Sequence, residues 1–139
     1  MLDGAQSDPL PVVSGVPQGS VLGPLLFLVY IDGASNTVLH GKIAMYADDI
    51  ALYSIIKNPS DYTYLQSDIT SLCSWLAINH LTLNLTKCCY MLFSRKHHQT
   101  LPDTDLYVGN THALTRVDHY KYLGLSFSIQ TSHGPTMLA

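Results

Sequence analysis

Lys42-Ile-Ala-Met-Tyr-Ala-Asp-Asp-Ile-Ala-Leu-Tyr53 is the stretch on which the reading of this chain turns. Its centre, Tyr46-Ala47-Asp48-Asp49, sets two adjacent carboxylates inside an otherwise apolar segment. An unpaired carboxylate taken out of water costs several kcal/mol. Two neighbouring ones also repel unless a cation or a proton intervenes. Turn chemistry alone would place Asp-Asp between two strands, because Asp bonds readily to its own local backbone. A divalent cation at the tip of a β-hairpin formed by 43–46 and 50–55 satisfies both demands and predicts metal-dependent phosphoryl chemistry.

Outward from this hairpin the chain alternates helical and extended signals. Leu10 to Ser14 predicts a short strand that enters the glycine-rich turn Gly15-Val-Pro-Gln-Gly-Ser20. Pro24 suits the first turn of a helix, and the apolar run through Leu25 to Tyr30 predicts a helix buried on most sides and ended by Gly33. Val21 to Ile31 is shorter than the ~20 residues of a membrane span, so no membrane role is expected. Asn58-Pro59-Ser60 is a helix start. Leu65, Ile69, Leu72 and Leu76 then repeat with the period of one helix face, flanked by Trp75. Beyond it, Leu81 to Leu85 and Cys88 to Ser94 read as extended, and Arg95 to Asp103 as a polar loop. Gly109-Asn110 is a favoured hairpin dipeptide, between 105–108 and 112–115. Tyr120 to Phe127 reads as a strand pair broken at Gly124, and 129–139 as a frayed tail. The expected class is α+β, an antiparallel sheet around the central hairpin with helices packed on one face.

Composition bounds the function. The 139 residues fit one domain with a real core. An apolar fraction of 47% with 12% charged residues argues against disorder. All ten acidic residues are Asp, and the formal net charge is −3. With a pI near 6.1 the chain lacks the basic face of a self-sufficient nucleic-acid binder. Three cysteines, Cys73, Cys88 and Cys89, and no signal-peptide pattern predict a reduced intracellular protein. Cys88-Cys89 with His97-His98 lacks the ligand separation of a structural zinc site.

Four segments, in order, resemble the palm of reverse transcriptases, most closely those of non-LTR (LINE-type) retrotransposons. They are Ser14-Gly-Val-Pro-Gln-Gly-Ser-Val-Leu-Gly-Pro-Leu-Leu-Phe27, the Tyr46–Asp49 tetrapeptide, the long helix through Trp75 to Leu83-Asn-Leu-Thr-Lys87 with Tyr90-Met-Leu-Phe-Ser94, and Tyr120-Lys-Tyr-Leu-Gly124. Group II intron enzymes share Pro-Gln-Gly and Tyr-Ala-Asp-Asp, whereas Ser20-Val-Leu-Gly-Pro-Leu-Leu-Phe27 is similar to the retrotransposon type. The resemblance implies RNA-directed DNA polymerisation by two-metal nucleotidyl transfer. It makes Asp48 and Asp49 ligands of Mg²⁺ or Mn²⁺, and Ala47 a small residue that lets the turn approach a primer end.

The same resemblance assigns Pro17, Gln18, Gly19 and Tyr46 to the template and incoming nucleotide. Lys87 would act at the leaving pyrophosphate, and Leu123-Gly124 would support the primer strand. The implied partners are an RNA template, a DNA primer and dNTPs. The family also places an aspartate in a strand before Pro-Gln-Gly. Before Ser14 there are only Asp3 and Asp8, both in loop-like contexts. The expectation is therefore a partial domain, palm without fingers, first catalytic strand or thumb, and inactive alone. An alternative is a non-catalytic RNA- or protein-interaction module that self-associates through an open sheet edge.

Overall fold

The computed structural model describes residues 15, 19–93, 105–109, 111–129 and 136–138. The anticipated strand at 10–14, the Pro17-Gln18 pair and the polar loop after Phe93 lie outside them. The elements, in order, are helix α1 (Gly23–Ile31), a 3-10 helix (Asp32–Thr37), strands β1 (Lys42–Tyr46) and β2 (Asp49–Tyr53), helix α2 (Pro59–Ile78), and β3 (Cys89–Tyr90). Six short strands complete the order: β4 (Tyr107–Val108), β5 (His112–Ala113), β6 (Thr115–Arg116), β7 (His119–Tyr122), β8 (Leu125–Ser128) and β9 (Thr136–Leu138).

The mixture of helix and small antiparallel sheets is of the expected class. Its strands are divided more finely than one sheet. Among the described residues, β1 pairs with β2, β4 with β5, and β7 with β8 and β8 with β9, all antiparallel, while β3 pairs with β6 in parallel. Of the strand expected from Cys88 to Ser94, the described residues 88–93 contribute only Cys89 and Tyr90 to a ladder. Leu81 to Leu85 stays unpaired, yet Leu81 and Leu83 turn inward onto the core while Thr82 and Asn84 face out. Within the tail expected to fray, Thr136–Leu138 pairs with Ser126–Ser128.

Helix α2 is the spine. Pro59 occupies its first turn, and Asn58 and Asp61 close a reciprocal capping box. The Asp61 carboxylate accepts the Lys57 and Asn58 N–H groups at 2.7 and 2.8 Å. Leu72 and Leu76, from the predicted stripe, are buried with Ile31 and Ala34, and Phe27, Ile43, Met45, Ile50, Trp75, Leu81 and Leu83 pack around them. Two side chains clamp neighbours to the helix. Gln66 makes a strand-like pair with the Tyr107 backbone, accepting its N–H at 2.8 Å and donating to its carbonyl at 2.9 Å.

Asp68 is the second clamp, and it is 1% exposed. Its carboxylate accepts the N–H groups of Leu39 (2.9 Å), His40 (3.0 Å) and Gly41 (2.7 Å), three consecutive residues leading into β1. A Cβ on Gly41 would stand 3.1 Å from the Tyr53 carbonyl oxygen and 3.3 Å from Asp68 Oδ2, so any side chain there would crowd the clamp.

Two expectations are corrected around α1. The helix does not stop at Gly33: it ends at Ile31 and passes directly into the 3-10 helix. Gly33 is needed for packing instead, because a Cβ there would lie 3.0 Å from Trp75 Cζ2. Nor is α1 buried on most sides. Phe27 and Ile31, one turn apart on one face, reach the core, and the Tyr30 hydroxyl donates to the Asn79 carbonyl. Leu22, Leu25, Leu26, Leu28 and Val29 are exposed, because no described element covers the remaining faces.

Three outcomes follow from these contacts. Asp68→Ala removes the acceptor of three part-buried N–H groups and leaves a hole where a buried carboxylate stood, and should cost about 1–3 kcal/mol in urea-unfolding free energy. In the turn between β7 and β8, Leu123 and Gly124 both have positive φ, 49° and 85°. That is the type I′ pattern, which favours Asn-Gly. Leu123→Asn should therefore stabilise the hairpin by about 1 kcal/mol, since a left-handed L-residue costs ~1–2 kcal/mol. The backbone bonds from Asn58 and Lys57 hold the Asp61 carboxyl below its ordinary 3.8. A depressed acid stabilises the fold above its unfolded value and loses that contribution as pH falls through the folded one. Helical circular dichroism should therefore fall below about pH 4, as expected for Asp pKa values, and Asp61→Asn should flatten that portion of the curve.

Candidate nucleotidyl-transfer site

Strand alternation resolves the anomaly of two carboxylates among apolar residues. Ile43, Met45 and Ile50 point inward to the α2 core. Lys42, Ala44, Tyr46 and Asp49 are exposed. The register pairs Tyr46 with Asp49, leaving Ala47 and Asp48 as a two-residue turn. The opposed Tyr46 and Asp49 side chains share one face of the pair. Both aspartates are therefore solvated at the tip and carry no burial cost, contrary to the expectation from their apolar neighbours. What the tip offers is an open pair of acceptor groups, free to meet a cation from solvent.

Ala47 bends the turn with φ +52°. A non-glycine residue in that region is strained by roughly 1–2 kcal/mol, and such strain clusters at functional sites.

The other sequence-predicted residues are dispersed. Pro17 and Gln18 lie outside the described residues. Gly19 is exposed with φ +80°, and nothing stands within 4 Å of where its Cβ would be, so glycine serves the backbone turn there. Lys87 is exposed in the turn after Asn84, where its N–H reaches the Asn84 carbonyl at 3.0 Å. Leu123 and Gly124 form the exposed turn between β7 and β8, and a Cβ on Gly124 would also meet nothing within 4 Å. Neither glycine is packed against the chain itself.

Tyr120 lies on β7, the strand before that turn. Its hydroxyl is pushed above its ordinary value by burial first, then by Cys89, Asp49, Cys88 and Tyr122. Burial likewise raises the Cys73, Cys88 and Cys89 thiols. They are free, half-buried and poorly suited to thiolate chemistry. Among the described residues no group of three or more His, Cys, Asp or Glu side chains is arranged to hold a metal. No helix among them is long and apolar enough to cross a membrane.

Sequence reasoning passed over Asp68, although a signal was present. It falls three residues after Leu65 and four before Leu72, on the apolar face of α2, where a carboxylate must have a partner.

The comparisons with known proteins bear on this hairpin-bearing unit. The model of the family "Reverse transcriptase (RNA-dependent DNA polymerase)" matches residues 1–127. The "RNA-directed DNA polymerase from mobile element jockey" of Drosophila melanogaster is 32% identical over 136 residues, which cover 90% of this chain and 14% of that protein. Its Drosophila funebris counterpart is 31% identical, with 88% of this chain and 14% of that protein covered. The "Retrovirus-related Pol polyprotein from type-2 retrotransposable element R2DM" of Drosophila melanogaster is 29% identical over 141 residues, or 91% of this chain and 13% of that protein. The chain thus spans about a seventh of the curated relatives it matches, judged from the 14% coverage. No solved structure matches it. With the family pattern extending from the first residue to Phe127, the chain belongs to the reverse transcriptase (RNA-dependent DNA polymerase) family, alongside the polymerases of non-LTR retrotransposons.

Proposed function

We propose that this chain supplies the metal- and nucleotide-facing palm portion of an RNA-directed DNA polymerase, and that it is inactive alone. The observation that carries the reading is the solvated Asp48-Asp49 pair at the tip of the β1–β2 hairpin in a chain of this family. Mg²⁺ is commonly held by one or two carboxylates together with substrate phosphates and water. The exposed oxygens of Asp48 and Asp49 fit that donor set in part. A bound pair of such ions would stabilise the attacking and leaving oxygens of an in-line displacement at an α-phosphate.

The remaining residues take their roles from the family likeness. Tyr46, opposite Asp49, faces the incoming nucleotide, and Pro17, Gln18 and Gly19 serve the nucleotide and template. The Leu123-Gly124 turn of the β7–β8 hairpin supports the primer strand. The Lys87 ammonium neutralises or protonates the leaving pyrophosphate. Among the described residues no third acidic side chain is grouped with Asp48 and Asp49, and on that ground the chain alone is expected not to polymerise.

A second reading, a non-catalytic interaction module, is favoured by one feature, the exposed apolar faces of α1. Light scattering at high concentration separates the readings. A clean monomer counts against self-association, whereas a concentration-dependent dimer supports it.

Two assays test the polymerase reading. Mn²⁺ added to the chain should broaden the resonances of Tyr46 to Ile50, and Asp48→Asn should remove most of that effect; no broadening in the wild-type chain would overturn the metal role. With RNA template, DNA primer, dNTPs and Mg²⁺, extension should be negligible. Robust extension abolished by Asp48→Asn would refute inactivity while keeping the catalytic assignment.

A further inference from the structure

We propose that Asp68 is a positioning residue for the Asp48-Asp49 tip, setting the direction of the whole β1–β2 hairpin by holding its base to α2. The inference rests on the reading of that tip as the metal-facing site.

The geometry is a three-point clamp. Both oxygens of a side chain 1% exposed are engaged by the N–H groups of Leu39, His40 and Gly41, with Asp68 Oδ1 also 3.3 Å from the His40 nitrogen. Charge-assisted bonds of this kind are short and directional. The loop is fixed from a second side as well. The His40 ring stacks on Tyr64, one turn before Asp68 on α2, with centroids 4.6 Å apart and an interplanar angle of 26°. A third constraint comes from Gly41, where an added Cβ would stand 3.1 Å from the Tyr53 carbonyl oxygen and 3.3 Å from Asp68 Oδ2. Because Tyr53 pairs with Lys42, both strands are held at the same end.

The hairpin depends on that anchorage. β1 and β2 pair only with each other among the described residues, and a lone two-stranded hairpin is marginal in water. Its remaining support is the inward contact of Ile43, Met45 and Ile50 with the core, which is apolar and fixes no direction along the strand. From Gly41 to Asp48 the strand runs roughly 20 Å at about 3.3 Å per residue. A tilt of ~10° at the base would therefore carry the carboxylates several ångströms, whereas reacting groups must be held within ~0.5 Å. A clamp on the loop entering β1 controls the tip without touching it.

The test measures backbone hydrogen exchange in the full chain, comparing ladder amides of the hairpin (Ala44, Tyr46, Ala51) with those of the α2 core (Leu72, Leu76). In Asp68→Asn the hairpin amides should exchange about tenfold faster or more while the α2 amides stay near wild type, a sub-global opening. A purely structural Asp68 would raise both sets together or neither, and either result overturns the proposal. Gly41→Ala, which crowds the clamp without removing the carboxylate, should show the same selective loss, and its exchange ratio decides the matter if Asp68→Asn does not fold. Mn²⁺ broadening at Tyr46 to Ile50, recorded in parallel, should weaken several-fold in both variants. If Asp48→Asn leaves that broadening unchanged, the metal reading fails. The exchange ratio still decides whether Asp68 directs the tip.

Discussion

Three backbone N–H groups converging on one buried carboxylate hold this structure together. Asp68 stands in the middle of the longest helix, and the loop it captures launches the only hairpin that carries adjacent aspartates. Burying a carboxylate is costly, and the cost is offset only when its lone pairs are filled. Here no buried side-chain polar atom among the described residues lacks a partner. The consequence is directional. Apolar contact between hairpin and helix is tolerant of sliding, whereas hydrogen bonds to three successive amides admit one register.

Helix α2 carries this logic on more than one side. Gln66 copies a strand edge for Tyr107, Asp68 grips the loop before β1, and Leu72 and Leu76 close the core with Ile31 and Ala34. Tyr30 reaches the end of the same helix at Asn79. The β1–β2 and β4–β5 pairs, marginal by themselves, are thus fastened to a single rod, each by a side chain specific to it. The architecture is a helix with attached hairpins more than a continuous sheet with helices laid upon it.

Much of this was legible from residue order. Asn58-Pro59 and the Leu65-Ile69-Leu72-Leu76 stripe foretold α2, because caps and periodicity are local properties. Gly109, with φ +62°, and the Leu123-Gly124 pair marked two further turns for the same reason. What the order of residues concealed was non-local. The captors of Asp68 are backbone groups almost thirty positions away (|i−j| of 27 to 29), and backbone amides have no sequence signature. The apolar composition of α1 implied burial, but composition does not supply a partner to bury against. Gly33 looked like a helix stop and proved to be the floor beneath Trp75, a role visible only in three dimensions. At the candidate site, the adjacency of Asp48 and Asp49 was plain, while their solvation depended on the register of the hairpin.

The left-handed backbone at Ala47 has a consequence for how this tip tolerates change. At φ +52° a β-branched or bulky side chain meets a steric penalty before any ligand is considered, whereas Gly, Asn and Asp are accommodated. The position is filtered by the backbone and its two acidic neighbours by charge. The two filters act on adjacent residues but by unrelated physics. A sequence drifting free of catalytic demand would therefore shed the carboxylates readily while still being held to a small or left-handed-tolerant residue beside them.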